Sequence, residues 1–163
     1  MTIKTSYVFQ MPSRWTFDMP QVRRWTLARC KGKVLNVFCG KNKMDGWMNC
    51  DIDPEVEPDV LCDAMELDKH FEPKSFDTAI MDPPYSFCQV TRKYQGRNVK
   101  EITVVKEHLR KIVNHRIIWF GWNIPTTKDF EKKEILLVGH GGNHNATICT
   151  LEVRRDMNNE AIL

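Results

Sequence analysis

Seven apolar runs punctuate the chain at short intervals: KVLNVF (33–38), WMNCDI (47–52), DVLC (59–62), FDTAIM (76–81), RIIWFG (116–121), EILLVG (134–139) and ATICTLEV (146–153). The first five are continuous rather than alternating, as in strands buried on both faces, and so favour a parallel sheet covered by helices. Between the runs, PQVRRWTLARC (20–30), AMELDKHF (64–71) and EITVVKEHLRKIV (101–113) place apolar residues at helical spacing, with Pro20 suited to a first helical turn. The last two strands flank a Gly-Gly-Asn loop and read as an antiparallel hairpin. The expected fold is α/β: a Rossmann-like three-layer sandwich on a mostly parallel sheet of about seven strands with a C-terminal antiparallel hairpin. No repeat, linker or low-complexity stretch divides the 163 residues, which read as a single domain, 1–163.

Composition narrows the setting. No apolar run approaches the ~18 residues of a membrane span, and the first residues lack the apolar stretch of a secretory signal, so a cytoplasmic protein is expected. The six cysteines, at 30, 39, 50, 62, 88 and 149, form no C-x-x-C pair. They read as reduced, buried thiols, and no metal site is expected. His140 and His144 in GHGGNHNAT fit a glycine-rich hairpin tip better than a ligand pair. Net charge is only +3, but it is segregated. Residues 1–33 carry +6, residues 45–82 carry −10 and residues 86–116 carry +6. Basic blocks around an acidic one suit a polyanion bound beside a site for hydroxyl-bearing or cationic ligands.

In an open α/β sheet, ligands collect at the carboxyl ends of the strands. Here those ends read FCGKNKMDG, DID, CDAMEL and DPPY. Gly40 allows close backbone approach, and Asp51, with Asp53 behind it, stands where nucleotide-type folds hold ribose hydroxyls. Taken in order, VLNVFCG, NCDIDPE, VLCDAMEL and FDTAIMDPPY resemble a class I S-adenosylmethionine-dependent methyltransferase. The DPPY element is similar to the catalytic motif of the amino-methyltransferases that act on N6 of adenine, and less often N4 of cytosine, in nucleic acid. The resemblance spans roughly residues 7–123 and implies S-adenosylmethionine as cofactor. It places Phe38, Cys39 and Gly40 along the methionine side, Asp51 on the ribose, Ile52 against the cofactor adenine, and Asp63, followed by Ala64, on its amino group. Two departures stand out. Asn36 replaces the family's usual acid and only Gly40 remains of its G-x-G loop, while residues 39–46 are too few for a crossover helix of ordinary length.

The chemistry of DPPY follows from its residue types. An exocyclic aromatic amine is a poor nucleophile because its lone pair is delocalised into the ring. Two acceptors aimed at its N–H bonds, the Asp82 carboxylate and the Pro83 carbonyl, direct that lone pair outward. Proline fixes its own φ, restrains the residue before it and offers no competing N–H, so Pro83 and Pro84 hold the acceptors still. Tyr85 offers a face on which the base stacks, an interaction worth ~1–3 kcal/mol in single-strand binding, and a duplex substrate must flip its base to reach it. The following SFCQVTRKYQGRNVK brings Arg92, Lys93, Arg97 and Lys100 around Tyr94 as candidate contacts to a phosphate backbone. Trp119, Phe120, Trp122 and Asn123 are candidate walls of the base pocket, although alternation sends neighbouring residues to opposite faces. PSRWTFDMP resembles the segment that family members fold over the methionine end, and Arg14, Arg23 and Arg24 are open to either cofactor or phosphate. With no segment left for target recognition, specificity is expected to be short or relaxed, or to come from the basic loop or a partner chain. DNA is expected as substrate over RNA, and a homodimer and a partner subunit both stay open. The same chemistry on RNA or on cytosine N4, and a non-catalytic nucleic-acid-binding subunit of this fold, are the alternatives.

Overall fold

A computed structural model of the chain describes residues 2–84 and 102–155. These residues build an eight-stranded sheet from β1 (Lys4–Phe9), β2 (Val34–Val37), β3 (Met48–Asp51), β4 (Val60–Leu61), β5 (Phe76–Met81), β6 (Val113–Gly121), β7 (Phe130–Gly139) and β8 (Thr147–Arg154), in the order β1-β7-β8-β6-β5-β2-β3-β4. Strands β2 to β6 run parallel, and β8 pairs antiparallel with both β6 and β7. The mixed sheet with its antiparallel C-terminal pair is the expected architecture. The strand not anticipated is β1, which pairs parallel with β7; its KTSYVF is exposed at every position but Val8 and so lacks the continuous apolar run of a central strand.

Period-two alternation splits the central strands between two cores. Leu35, Val37, Ala79, Met81, Ile117 and Trp119 point to one face, and Val34, Ile80, Ile118 and Phe120 to the other. The first face is covered by α2 (Leu67–His70) and α3 (Ile102–Ile112), whose Val105, Leu109 and Ile112 form a buried stripe. The two helices are joined where the Asp68 carboxylate meets Lys111 Nζ at 2.9 Å and His108 Nδ1 at 3.0 Å. The helix expected over 64–71 is divided, a 3-10 turn at Ala64–Glu66 preceding the single turn of α2. The second face is covered by α1 (Pro20–Leu27), which starts on its proline and buries Val22, Trp25 and Thr26.

The connection from β2 to β3 contains no helix, and a network of side-chain amides organises it instead. Asn36, buried in β2, donates from Nδ2 to Asn42 O and to Asn49 Oδ1, both at 3.1 Å. Asn49 Oδ1 also accepts from Met44 N–H at 3.0 Å, while its Nδ2 donates to Met44 O, Trp47 O and Asp59 Oδ2. The sheet surface a crossover helix would shield is taken by Met44 and Trp47 of the connection and by Phe17, whose ring meets Trp47 and Phe120 edge-on at 5.9 and 5.6 Å.

This network explains the amide at position 36. Both groups facing Asn36 Nδ2 are acceptors, so a carboxylate oxygen in its place would meet two acceptors and no donor from them. We expect Asn36→Asp to destabilise the fold by about 3 kcal/mol at neutral pH, the range for an unsatisfied buried charge. Burial would raise that carboxyl's folded pKa, so the loss should shrink as pH falls and the group protonates. Urea melts at pH 7.5 and pH 4.5 test both statements.

Candidate active site

From β2 the chain moves to one side for β3 and β4, then returns to the other side for β5 and β6. The carboxyl ends of β2 and β5 therefore flank a topological switch point, where open α/β sheets form their crevice. Their last paired residues are Val37 and Met81, so Phe38 and Asp82 leave the sheet side by side. The Asp82 N–H reaches Val37 O at 3.5 Å.

The turn after β2 is tightly held. Phe38 has φ +61° and Gly40 has φ +50°; a non-glycine residue in this region costs of order 1–3 kcal/mol and persists only where its surroundings fix it. They do so here. Cys39 N–H donates to Cys50 O at 3.1 Å, Asn42 N–H to Cys39 O at 2.9 Å, and Gly40 N–H to Asp51 Oδ2 at 2.8 Å. The ring of Trp15 lies 3.5 Å from where a Cβ on Gly40 would sit. The N-terminal segment PSRWTFDMP thus lies against the glycine turn, with the Arg14 guanidinium 5.4 Å from the Trp15 ring centre.

Three acids stand at the next strand ends. Asp51 is only 2% exposed and receives one backbone N–H on each oxygen, Gly40 on Oδ2 and Asp53 on Oδ1 at 3.0 Å. Asp53 Oδ1 caps the following turn by accepting from Glu55 N–H at 2.9 Å. Asp63 Oδ1 does the same for Met65 N–H at 2.9 Å, so one oxygen of each of these two half-buried carboxylates is committed to the backbone. Ile52 is half-buried between Asp51 and Asp53, and Ala64 is buried behind Asp63.

At the end of β5, Asp82, Pro83 and Pro84 are half-buried. Burial first, and then the Asp82 carboxylate, hold the Cys149 thiol of β8 well above the ordinary range. Tyr85, Arg92, Lys93, Arg97 and Lys100 lie outside the described residues. Of the four candidates at the end of β6, Trp119 and Phe120 are core residues on opposite faces, whereas Trp122 and Asn123 are exposed past the strand end.

Glu152 is a supporting residue that sequence reasoning missed. Fully buried on β8, it accepts from Trp119 Nε1 and from Thr127 N–H, both at 3.0 Å, with Lys132 Nζ 4.0 Å away. It ties the connection that begins with Trp122 and Asn123 to the sheet. Its signal was an isolated acid at a core position of an apolar strand. His140 is structural, placed between Gln10 O at 2.7 Å and Thr147 Oγ1 at 2.9 Å. Among the described residues no cluster of His, Cys, Asp or Glu suits a metal ion, and no helix is long and apolar enough to cross a membrane.

No family model matches the chain, and no curated protein sequence matches it. Solved structures do. A protein of Escherichia coli assigned as a methyltransferase, yhhF, aligns with TM-score 0.54 at 13% identity, over 90% of this chain and 91% of that one. The tRNA (uracil-54, C5)-methyltransferase of Pyrococcus abyssi, solved with S-adenosyl-L-homocysteine, aligns with TM-score 0.52 at 16% identity. That match covers 82% of this chain and 37% of the enzyme, so the chain spans little more than a third of that relative. The chain therefore shares the fold of these two methyltransferases.

Cys39 sits in the turn itself, and its burial, followed by the nearby Asp51 carboxylate, pushes its thiol from 9.0 up to about 12. At pH 8 the thiolate fraction is then roughly a thousandfold below that of an unshifted thiol. Iodoacetamide should leave Cys39 unmodified in the native protein and alkylate it on unfolding, as read by peptide mass spectrometry.

Proposed function

We propose that the chain is an S-adenosylmethionine-dependent methyltransferase acting on the exocyclic N6 amine of adenine in DNA. The observation that carries this reading is the emergence of Asp82, Pro83 and Pro84 from β5 directly beside the strained turn at Phe38–Gly40. The donor set fits S-adenosylmethionine. Consecutive strand ends offer carboxylates for two ribose hydroxyls and an amino group, and the glycine turn allows backbone approach. The bound cofactor would supply a methyl group activated by its sulfonium.

In this assignment Phe38, Cys39 and Gly40 line the methionine end. Asp51, with Asp53 beside it, takes the ribose: each Asp51 oxygen spends one lone pair on a backbone N–H and keeps another for a hydroxyl. Ile52 packs on the cofactor adenine. Asp63, followed by Ala64, accepts from its amino group through the oxygen not bonded to Met65 N–H.

Asp82 and the Pro83 carbonyl accept from the two N–H bonds of the target amine and orient its lone pair. Pro84 fixes the frame and Tyr85 stacks on the flipped base. Asp82 need not be a strong base, because the amine becomes acidic once methylated; its work is orientation and charge stabilisation. Arg92, Lys93, Arg97 and Lys100 take backbone phosphates, and Trp122 and Asn123 flank the strand as it enters. RNA adenine is the second reading, because one protein sharing this fold acts on tRNA.

Calorimetry should show S-adenosylmethionine and its demethylated product binding at micromolar affinity, with binding lost in Asp51→Ala. Transfer of labelled methyl to adenine-containing DNA should fall at least ~100-fold in Asp82→Ala, the scale of losing a positioned acid-base group. Wild-type turnover in that variant would overturn the mechanism. Label on RNA or on cytosine alone would change the substrate, and no cofactor binding by folded protein would leave a non-catalytic subunit.

A further inference from the structure

The two edges of the sheet are built differently. At one edge β4 has only two residues, too short to template another strand. At the other, β1 has six, with Lys4 as the one charged residue between Thr2 and Pro12. Natural sheets blunt long edges with charges, prolines or bulges, and β1 between Thr5 and Met11 has none of these.

Its free face is also apolar. Tyr7 and Phe9 are each 62% exposed, Met11 is 66% exposed and Ile3 is 37% exposed. These odd-numbered residues share one face, while Val8 on the other packs into the core beneath α1. The two aromatic rings are laid down on glycines: a Cβ on Gly139 would meet the Tyr7 hydroxyl at 2.4 Å, and one on Gly141 would meet the Phe9 ring at 3.2 Å. They form a preset flat surface. The β6–β7 connection has no helix to shield it.

We propose that β1 is a dimerisation edge that pairs antiparallel with β1 of a second copy of this chain, with Tyr7 opposite Tyr7 of that copy on the two-fold axis. This inference is independent of the methyltransferase reading. Two features fix the pairing. The first, which sets the register, is hydrogen-bond phase. Gln10 N–H donates to Gly139 O at 3.0 Å, so the even residues bond β7 and the N–H and C=O groups of Thr5, Tyr7 and Phe9 point outward. Those outward groups make closely bonded antiparallel pairs when Tyr7 faces its own symmetry mate. The second feature is self-complementarity. In that register Ile3 lies opposite Met11, Thr5 opposite Phe9, and Lys4 opposite Gln10, so apolar residues meet and no like charges do.

Exposed Tyr, Phe, Met and Ile side chains offer about 400 Å² per protomer, an upper bound on the apolar area that edge pairing covers. The total falls below the ~1,000 Å² of a stable interface, so the dimer is a weak and transient one.

Sedimentation velocity on the full chain from roughly 1 to 300 µM should show a monomer–dimer equilibrium spanning that range. Phe9→Lys should remain monomeric throughout with an unchanged circular dichroism spectrum. Tyr7→Cys should cross-link to its own symmetry mate under oxidised glutathione, because bonded antiparallel pairs hold Cα atoms about 5.5 Å apart, within disulfide reach. Ser6→Cys, opposite Val8 in this register, should not cross-link. A wild-type chain that is monomeric at every concentration overturns the proposal. So does a dimer in which Tyr7→Cys fails to cross-link, which would place the contact elsewhere. If Phe9→Lys does not fold, the cysteine pair decides alone.

Discussion

The chain leaves β2 at Val37 and must enter β3 at Met48, and that span is too short for the helix that normally shields this part of a parallel sheet. Everything around the crevice follows from how it is crossed. Two buried amides, Asn36 and Asn49, satisfy the backbone of the connection group by group, as a helix would have done for itself. The vacated surface is filled from upstream by Phe17 and from within by Met44 and Trp47. The N-terminal segment is therefore part of the core, and this brings Trp15 onto Gly40.

The same constraint shapes the turn beside the crevice. With no helix N-terminus following β2, the N–H groups of Cys39 and Gly40 are directed to β3, to Cys50 O and the Asp51 carboxylate. Asp51 is thus a brace for the turn as well as the acid proposed for the ribose. A carboxylate that receives two backbone donors while nearly buried is firmly placed. Asp53 and Asp63, each capping a short turn with one oxygen, are set by the same local device.

Much of this was legible in the sequence because buried parallel strands leave continuous apolar runs. FDTAIM became β5 with its bounds unchanged, and EITVVKEHLRKIV became α3 within one residue at each end. The strand ends, and with them Asp51, Asp63 and Asp82, were legible for the same reason. What escaped reading depends on distant partners. β1 is exposed at every residue but Val8 and becomes a strand only because β7 accepts it. Asn36 read as a lost acid until its two facing acceptors were seen. Glu152 stands in the sequence as an isolated acid in an apolar strand, and only the pairing of β8 with β6 shows that it holds Trp119 and Thr127. Trp119 and Phe120 read as candidate pocket walls together with Trp122 and Asn123; alternation marked some of the four as core, and only the sheet shows that it is these two.

The pairing of β1 with β7 has a consequence for how the molecule is assembled. Lys4 faces Glu134 across the ladder, so β1 emerges in synthesis well before the strand it pairs with. Contacts this distant are costly in loop entropy and form late. During that wait, Tyr7 and Phe9 have neither the glycines of the hairpin beneath them nor a ladder on either side. Folding speed and early self-association are then governed by one short strand, whose exposed interval lasts until the C-terminal hairpin closes.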